Sequence, residues 1–148
     1  YFGNRGISGI EGSTSTALGS ASVHSKTNIL ITGDLSFIYD QNGLWNNHIP
    51  NNLKLFVFNN QGGGIFKIIS GPKNTPFLEE YFETKHELSL KSIAQTHHLN
   101  YHCAKNEKEA EQIIPSVLES NQFEIVEFFT GNVENEKILN DYFSVIKK

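Results

Sequence analysis

The sequence contains no methionine, only one cysteine (Cys103), and no apolar run long enough to span a bilayer. A single cysteine excludes an internal disulfide framework and suits a reducing compartment, so the expected setting is cytoplasmic, with no transmembrane segment. With Tyr1 in first place and no methionine anywhere, neither an initiator nor a recognisable signal peptide is present, and the chain reads as a piece of something longer. Lysine and arginine number 12 against 16 acidic residues, for a formal charge of −4, and they form no cluster. That excludes a protein that grips nucleic acid by bulk electrostatics. The G-x-x-x-x-G-K-[ST] phosphate loop is missing too, and the early glycines, three apart, do not follow the G-x-G-x-x-G dinucleotide pattern.

What is present suits one globular domain, residues 1–148, because 38% hydrophobic content over this length supplies a sizeable core. Gly3, Gly6, Gly9 and Gly12 punctuate an opening loop. A helix is expected over 13–24, opening with hydroxyl residues suited to capping. A short apolar strand over 28–32 follows, and Phe37, Ile38, Leu44 and Trp45 stand at helical spacing over 37–46. A second strand is expected over 53–58. The stretch 70–87 is long for a connection, has room for a short helix near 77–82, and reads as a lid. Helices over 88–97, 107–120 and 134–147 then alternate with strands over 100–104 and 123–129. Apolar strands joined by helices imply the α/β class: a mostly parallel sheet with helices on both faces. In such sheets ligands bind at the carboxyl ends of the strands.

That rule brings two segments together, Gly33-Asp34 after the first strand and Asn59-Asn60-Gln61-Gly62-Gly63-Gly64 after the second. Asp34 is the puzzle, since an uncompensated carboxylate at the end of a buried strand costs several kcal/mol. Something positive is expected beside it. Asp34 offers a hard anionic oxygen, Asn60 a neutral amide oxygen, and the glycine run lets a backbone carbonyl turn inward, a set that suits Mg²⁺ or Ca²⁺. Three protein oxygens leave an octahedral ion half empty, and two diphosphate oxygens plus a water complete it most simply. On the residues alone, a non-enzymatic phosphate-binding α/β module stays open, and a lone Gly-Asp after a strand is often only a turn or a cap.

Other clusters read as surface. His97, His98, His102 and Cys103 are divided by the helix-to-strand break near Asn100, which spoils a zinc-binding face. His24, His48 and His86 are scattered and support no triad, while Glu79-Glu80 and Glu107, Glu109 and Glu111 fall in solvated helical segments.

Gly33-Asp34, one helix, one strand and then Asn59-Asn60 resembles the signature of the thiamine diphosphate enzymes, although Leu35 stands where that superfamily generally has glycine. Asn4 to Gly19 (NRGISGIEGSTSTALG), Gly33 to Trp45 (GDLSFIYDQNGLW) and Asn59 to Phe66 (NNQGGGIF) together resemble one family, the 2-succinyl-5-enolpyruvyl-6-hydroxy-3-cyclohexene-1-carboxylate synthases of menaquinone biosynthesis. The specific motifs lie within residues 4–66, and from residue 70 onward only the fold pattern speaks.

The resemblance implies the C-terminal diphosphate-binding domain of a longer multidomain enzyme. It puts Mg²⁺, or Mn²⁺, on Asp34, the Asn60 side chain and the Gly62 carbonyl, with Gly33, Leu35 and Ser36 at the diphosphate of thiamine diphosphate. Ile10 would wedge beneath the bent cofactor, and Ser8, Gly9, Ile65 and Phe66 would line the aminopyrimidine and the substrate cavity. Arg5 would bind substrate, because guanidinium takes carboxylates bidentately and the family's substrates, 2-oxoglutarate and isochorismate, are polyanions. The family's activating glutamate lies on another domain, commonly a partner subunit's, so a homo-oligomer (dimer or tetramer) is implied, no catalytic residue falls in this chain, and the fragment alone is expected to be inactive. A 2-oxo acid decarboxylase or an acetolactate synthase relative would share Asp34 and Asn60 without needing Arg5 or Leu35.

Overall fold

The computed structural model describes residues 1–3 and 9–146, with backbone alone at 132–134. Strands β1 (Asn28–Gly33), β2 (Leu53–Asn59), β3 (Asn100–Ala104) and β4 (Glu124–Phe129) form one sheet in the order β1-β2-β4-β3, every neighbouring pair parallel. Gly33 pairs with Phe58, and Asn59 with Phe129, so β1, β2 and β4 finish level at one rim. The helices are α1 (Ser13–Val23), α2 (Asp34–Tyr39), α3 (Leu90–Thr96), α4 (Glu107–Glu119) and α5 (Asn132–Ile146).

Burial follows the expected two-faced pattern in the central strand. Leu53, Leu55 and Val57 of β2, fully buried, pack with Leu18 and Ala21 of α1, Phe37 of α2 and Leu90 and Ala94 of α3. Phe56 points the other way, joining Val126, Phe128 and Ala104 under Val117 of α4, with the Phe56 and Phe128 rings edge to face at 5.6 Å. Removing each such side chain from water is worth about 1.5–3 kcal/mol. The edge strand departs from expectation. Ile29 and Ile31 are 51% and 66% exposed, because β1 is covered on one face only, and its apolar run is half-buried rather than buried.

Local capping also differs from the sequence reading. The hydroxyls that open α1 do not cap it: Gly12 is the N-cap, in the left-handed region at φ 76°, and Ser13 Oγ lies 2.7 Å from Ser36 Oγ instead. The helix expected over 37–46 starts earlier, at Asp34, and stops at Tyr39. A 3₁₀ turn over Gln41–Trp45 follows. Its break has a cause in Asp40, whose carboxylate accepts Ser15 N at 2.7 Å and Ser15 Oγ at 2.8 Å, a tie to α1 that a continuous helix would not present. By contrast α4 carries a reciprocal cap, Asn106 Oδ1 accepting Glu109 N at 3.0 Å while Glu109 accepts Asn106 Nδ2 at 2.7 Å.

The segment between β2 and α3 folds onto the rim where β1 and β2 end. It makes 3₁₀ turns over Gly64–Lys67 and Pro72–Asn74 and one π-helical turn over Leu78–Phe82. Glu83 is fully buried, 2.8 Å from Lys67 Nζ, and the Phe66 and Phe82 rings lie 5.7 Å apart. Gly63 N donates to Glu83 O at 2.5 Å. Gly62 is required here: a Cβ would come within 2.8 Å of that same carbonyl.

Candidate functional site

Parallel pairing of neighbouring strands places Asp34, the first residue after β1, beside the loop that leaves β2. Asp34 is 2% exposed. Its Oδ1 accepts Leu35 N at 2.8 Å, and its Oδ2 accepts Gly62 N at 3.0 Å. With the Asn60 amide turned to suit its neighbours, its nitrogen donates to Asp34 Oδ1 at 3.3 Å and to Gly62 O at 2.7 Å. The carboxylate, the amide and the carbonyl expected to share a cation therefore do meet at one point, although 26 residues separate Asp34 from Asn60 in sequence.

Around the Asp34 carboxylate stands a ring of N–H donors rather than a charged side chain read from the sequence, and one of them was not foreseen. His86 Nε2 lies 3.1 Å from Asp34 Oδ2. His86 Nδ1 accepts Leu88 N at 3.2 Å, which places the ring proton on Nε2, facing the carboxylate. Two donors thus hold Oδ2, while Oδ1 accepts Leu35 N and lies on the Asn60 side. The stretch read as a lid delivers this histidine, and a surface cleft lined by Gln61, Lys85, His86 and Glu87 opens alongside. No periodicity marks His86, so only the folded strap reveals it.

A hard divalent cation fits this donor set. The site offers one anionic oxygen, one carbonyl, and one amide that presents oxygen after a half-turn about its last side-chain bond. Among the described residues no group of three or more His, Cys, Asp and Glu side chains is placed to hold a metal, so the site is visible only when amide and backbone oxygens are counted.

The remaining predicted residues distribute unevenly. Ser36 Oγ donates to Ile10 O at 2.7 Å, bringing the opening glycine loop to the start of α2, and Ile10 itself is 47% exposed. Gly9 belongs to that loop, where a Cβ would run into the Glu11 side chain. Leu35 and Ser36 are half-buried, Ile65 is exposed, and Phe66 leans on Phe82. Arg5 and Ser8 lie outside the described residues.

Behind the loop stands a second buried acid. Glu127 of β4 is 2% exposed, its Oε1 accepting Asn59 Nδ2 at 2.5 Å and its Oε2 accepting the Tyr101 hydroxyl. Burial, followed by the neighbouring carboxylate, pushes the Tyr101 hydroxyl's pKa well above its ordinary range. A glutamate inside the apolar run IVEFF was a legible signal of this pair, of the same kind as Asp34.

Comparison with known proteins bears on the fold and on the family. No family model matches the chain. The benzoylformate decarboxylase of Polynucleobacter necessarius superposes with a TM-score of 0.63 over 78% of this chain and 22% of that one, at 17% identity. Fold and site together define a parallel α/β domain of the thiamine diphosphate-binding fold. In sequence, the 2-succinyl-5-enolpyruvyl-6-hydroxy-3-cyclohexene-1-carboxylate synthases of Flavobacterium psychrophilum and Christiangramia forsetii are each 46% identical, over 96% and 97% of this chain. That of Cytophaga hutchinsonii is 43% identical over 99% of it. Over nearly all of its own length the chain is similar to these synthases, and it spans about a quarter of the length of the curated relatives it matches.

Proposed function

We infer that the chain is the cation- and diphosphate-holding domain of a thiamine diphosphate-dependent synthase that decarboxylates 2-oxoglutarate and joins the remaining four-carbon unit to isochorismate. One observation carries the reading: the convergence of Asp34, Asn60 and Gly62 at the shared rim of β1 and β2. Asp34, the Asn60 amide oxygen and the Gly62 carbonyl hold Mg²⁺, or Mn²⁺, through which the diphosphate is anchored. Gly33, Leu35 and Ser36 take the diphosphate side of that site. Ile10, Gly9, Ile65 and Phe66, with Ser8, would hold the ring of the cofactor and border the substrate, and Arg5 would pair with substrate carboxylates. The cofactor when bound supplies the carbon nucleophile and the electron sink for loss of CO₂, and the protein supplies position and electrostatics.

The activating carboxylate is supplied from outside this chain, within a homo-oligomer in the cytoplasm, so the isolated chain turns over nothing. The test is calorimetry of Mg²⁺ and thiamine diphosphate on the full-length protein that carries this chain, with Asp34→Ala beside it, together with product analysis on 2-oxoglutarate and isochorismate. Abolished cation-dependent cofactor binding in the variant, and a product only when isochorismate is present, are the expected results. Unchanged affinity in Asp34→Ala overturns the cation assignment, and turnover of other 2-oxo acids in place of this pair overturns the substrate assignment.

A further inference from the structure

Glu127 has no role in the site as described, yet its setting demands one. It lies in the middle of the sheet beneath α1 to α3, on the face that Tyr101 and Asn59 share, and among the described residues no lysine, arginine or histidine bridges it. A buried carboxylate without a cation is expensive to fold, and an apolar residue of similar size is often the more stable choice. Its two oxygens instead receive two converging donors, Asn59 Nδ2 and the Tyr101 hydroxyl. A carboxylate accepts from both donors at once, and an apolar side chain of similar size would leave the Asn59 amide without its partner.

The consequence passes to the next residues along. With its nitrogen fixed on Glu127, the Asn59 amide must aim its oxygen the other way, and Oδ1 accepts Gln61 N at 2.8 Å. Gln61 sits at φ 61°, a left-handed conformation that non-glycine residues seldom adopt. The Asn59 side chain closes this turn as an Asx turn does, while the Asn59 carbonyl accepts Thr130 N at 2.9 Å and ties the same residue to the end of β4. The turn is what swings Asn60 and Gly62 toward Asp34. We propose that Glu127 is a positioning residue for the cation loop, holding Asn59 in the single amide orientation that sets the Gln61 turn.

This rests on the cation reading given above, and the experiment separates the two. In the full-length protein with thiamine diphosphate present, Mn²⁺ binding is followed by electron paramagnetic resonance, and exchange of the Gln61 amide hydrogen by NMR. Glu127→Leu, which removes the acceptor for Asn59, weakens Mn²⁺ binding about 10- to 100-fold, the range typical of lost outer-shell partners, and speeds Gln61 exchange. Asn59→Ala reproduces both effects, and the double variant loses no more Mn²⁺ affinity than the worse single one. Val126→Ala, a fully buried neighbour on the opposite face, lowers the melting temperature and leaves Mn²⁺ affinity alone. If Glu127→Leu does not fold, Asn59→Ala reads the same link. Wild-type Mn²⁺ affinity in Glu127→Leu or in Asn59→Ala overturns the proposal. Wild-type affinity in Asp34→Ala overturns the underlying cation reading instead.

Discussion

Truncating His86 to alanine tests whether Asp34 is held for a cation or held away from one. The Nε2–H of His86 and the backbone N–H of Gly62 both end on Oδ2, at 3.1 and 3.0 Å, so the oxygen on the Asn60 side is Oδ1, which also accepts Leu35 N. A hydrogen bond to a charged acceptor contributes about 1.5–3 kcal/mol net. Since 1.4 kcal/mol corresponds to a tenfold change in an equilibrium constant, losing that orientation weakens cation binding by about 10- to 100-fold. The assay is calorimetric titration of Mg²⁺ into the full-length protein with thiamine diphosphate, for wild type, His86→Ala and His86→Gln. Glutamine carries an N–H donor near the position of Nε2, so it recovers most of the loss. Tighter binding in His86→Ala would refute the reasoning, for it would mean that the histidine competes with the cation for the carboxylate; equal affinity would mean that it does neither.

Gly62→Ala forces a Cβ to within 2.8 Å of the Glu83 carbonyl, so it separates the glycine loop from the strap and lowers both the melting temperature and the cation affinity. Tyr101, whose hydroxyl's pKa is raised by burial and by Glu127, keeps its proton in the folded state where the unfolded chain loses it. Its contribution is therefore complete below about pH 10 and is lost as pH rises further, so the denaturant midpoint falls above that pH by less in Tyr101→Phe than in wild type.

Much of this architecture was legible because it follows from pattern. Continuous apolar strands separated by helical segments give a parallel sheet, and the rule that ligands gather at strand carboxyl ends brought Asp34 to Asn60 before any coordinates. What failed had local causes that sequence period does not carry. Asp40 breaks a helix because its carboxylate is committed to Ser15, a contact across 25 residues. The α1 hydroxyls leave their capping role because Ser13 meets Ser36. Ile29 and Ile31 look like core residues, and are exposed because strand order makes β1 an edge. His86 was invisible for the same reason: it reaches Asp34 through an irregular strap whose path is set by Lys67–Glu83 and by Gly63, not by a repeat.

Asn60 is the most informative of the three proposed ligands. Turned with its nitrogen inward, its amide lies 3.3 Å from Asp34 Oδ1 and 2.7 Å from the Gly62 carbonyl, facing the two oxygens that a cation would take. Turned the other way, it would offer the cation its own oxygen. Asn60→Asp removes the donor and adds a second carboxylate at this point. Two unit charges about 4 Å apart repel by on the order of 4 kcal/mol at an effective dielectric constant near 20, less whatever rotation or proton uptake relieves. Without a divalent ion the variant therefore melts below wild type. With Mg²⁺ both carboxylates become ligands and the repulsion turns into attraction for the ion, so the Mg²⁺-induced rise in melting temperature exceeds that of wild type. Thermal scans with and without Mg²⁺ read this directly. A variant that is no less stable without the ion, and gains no more from it, would show that residues 34 and 60 do not share one cation.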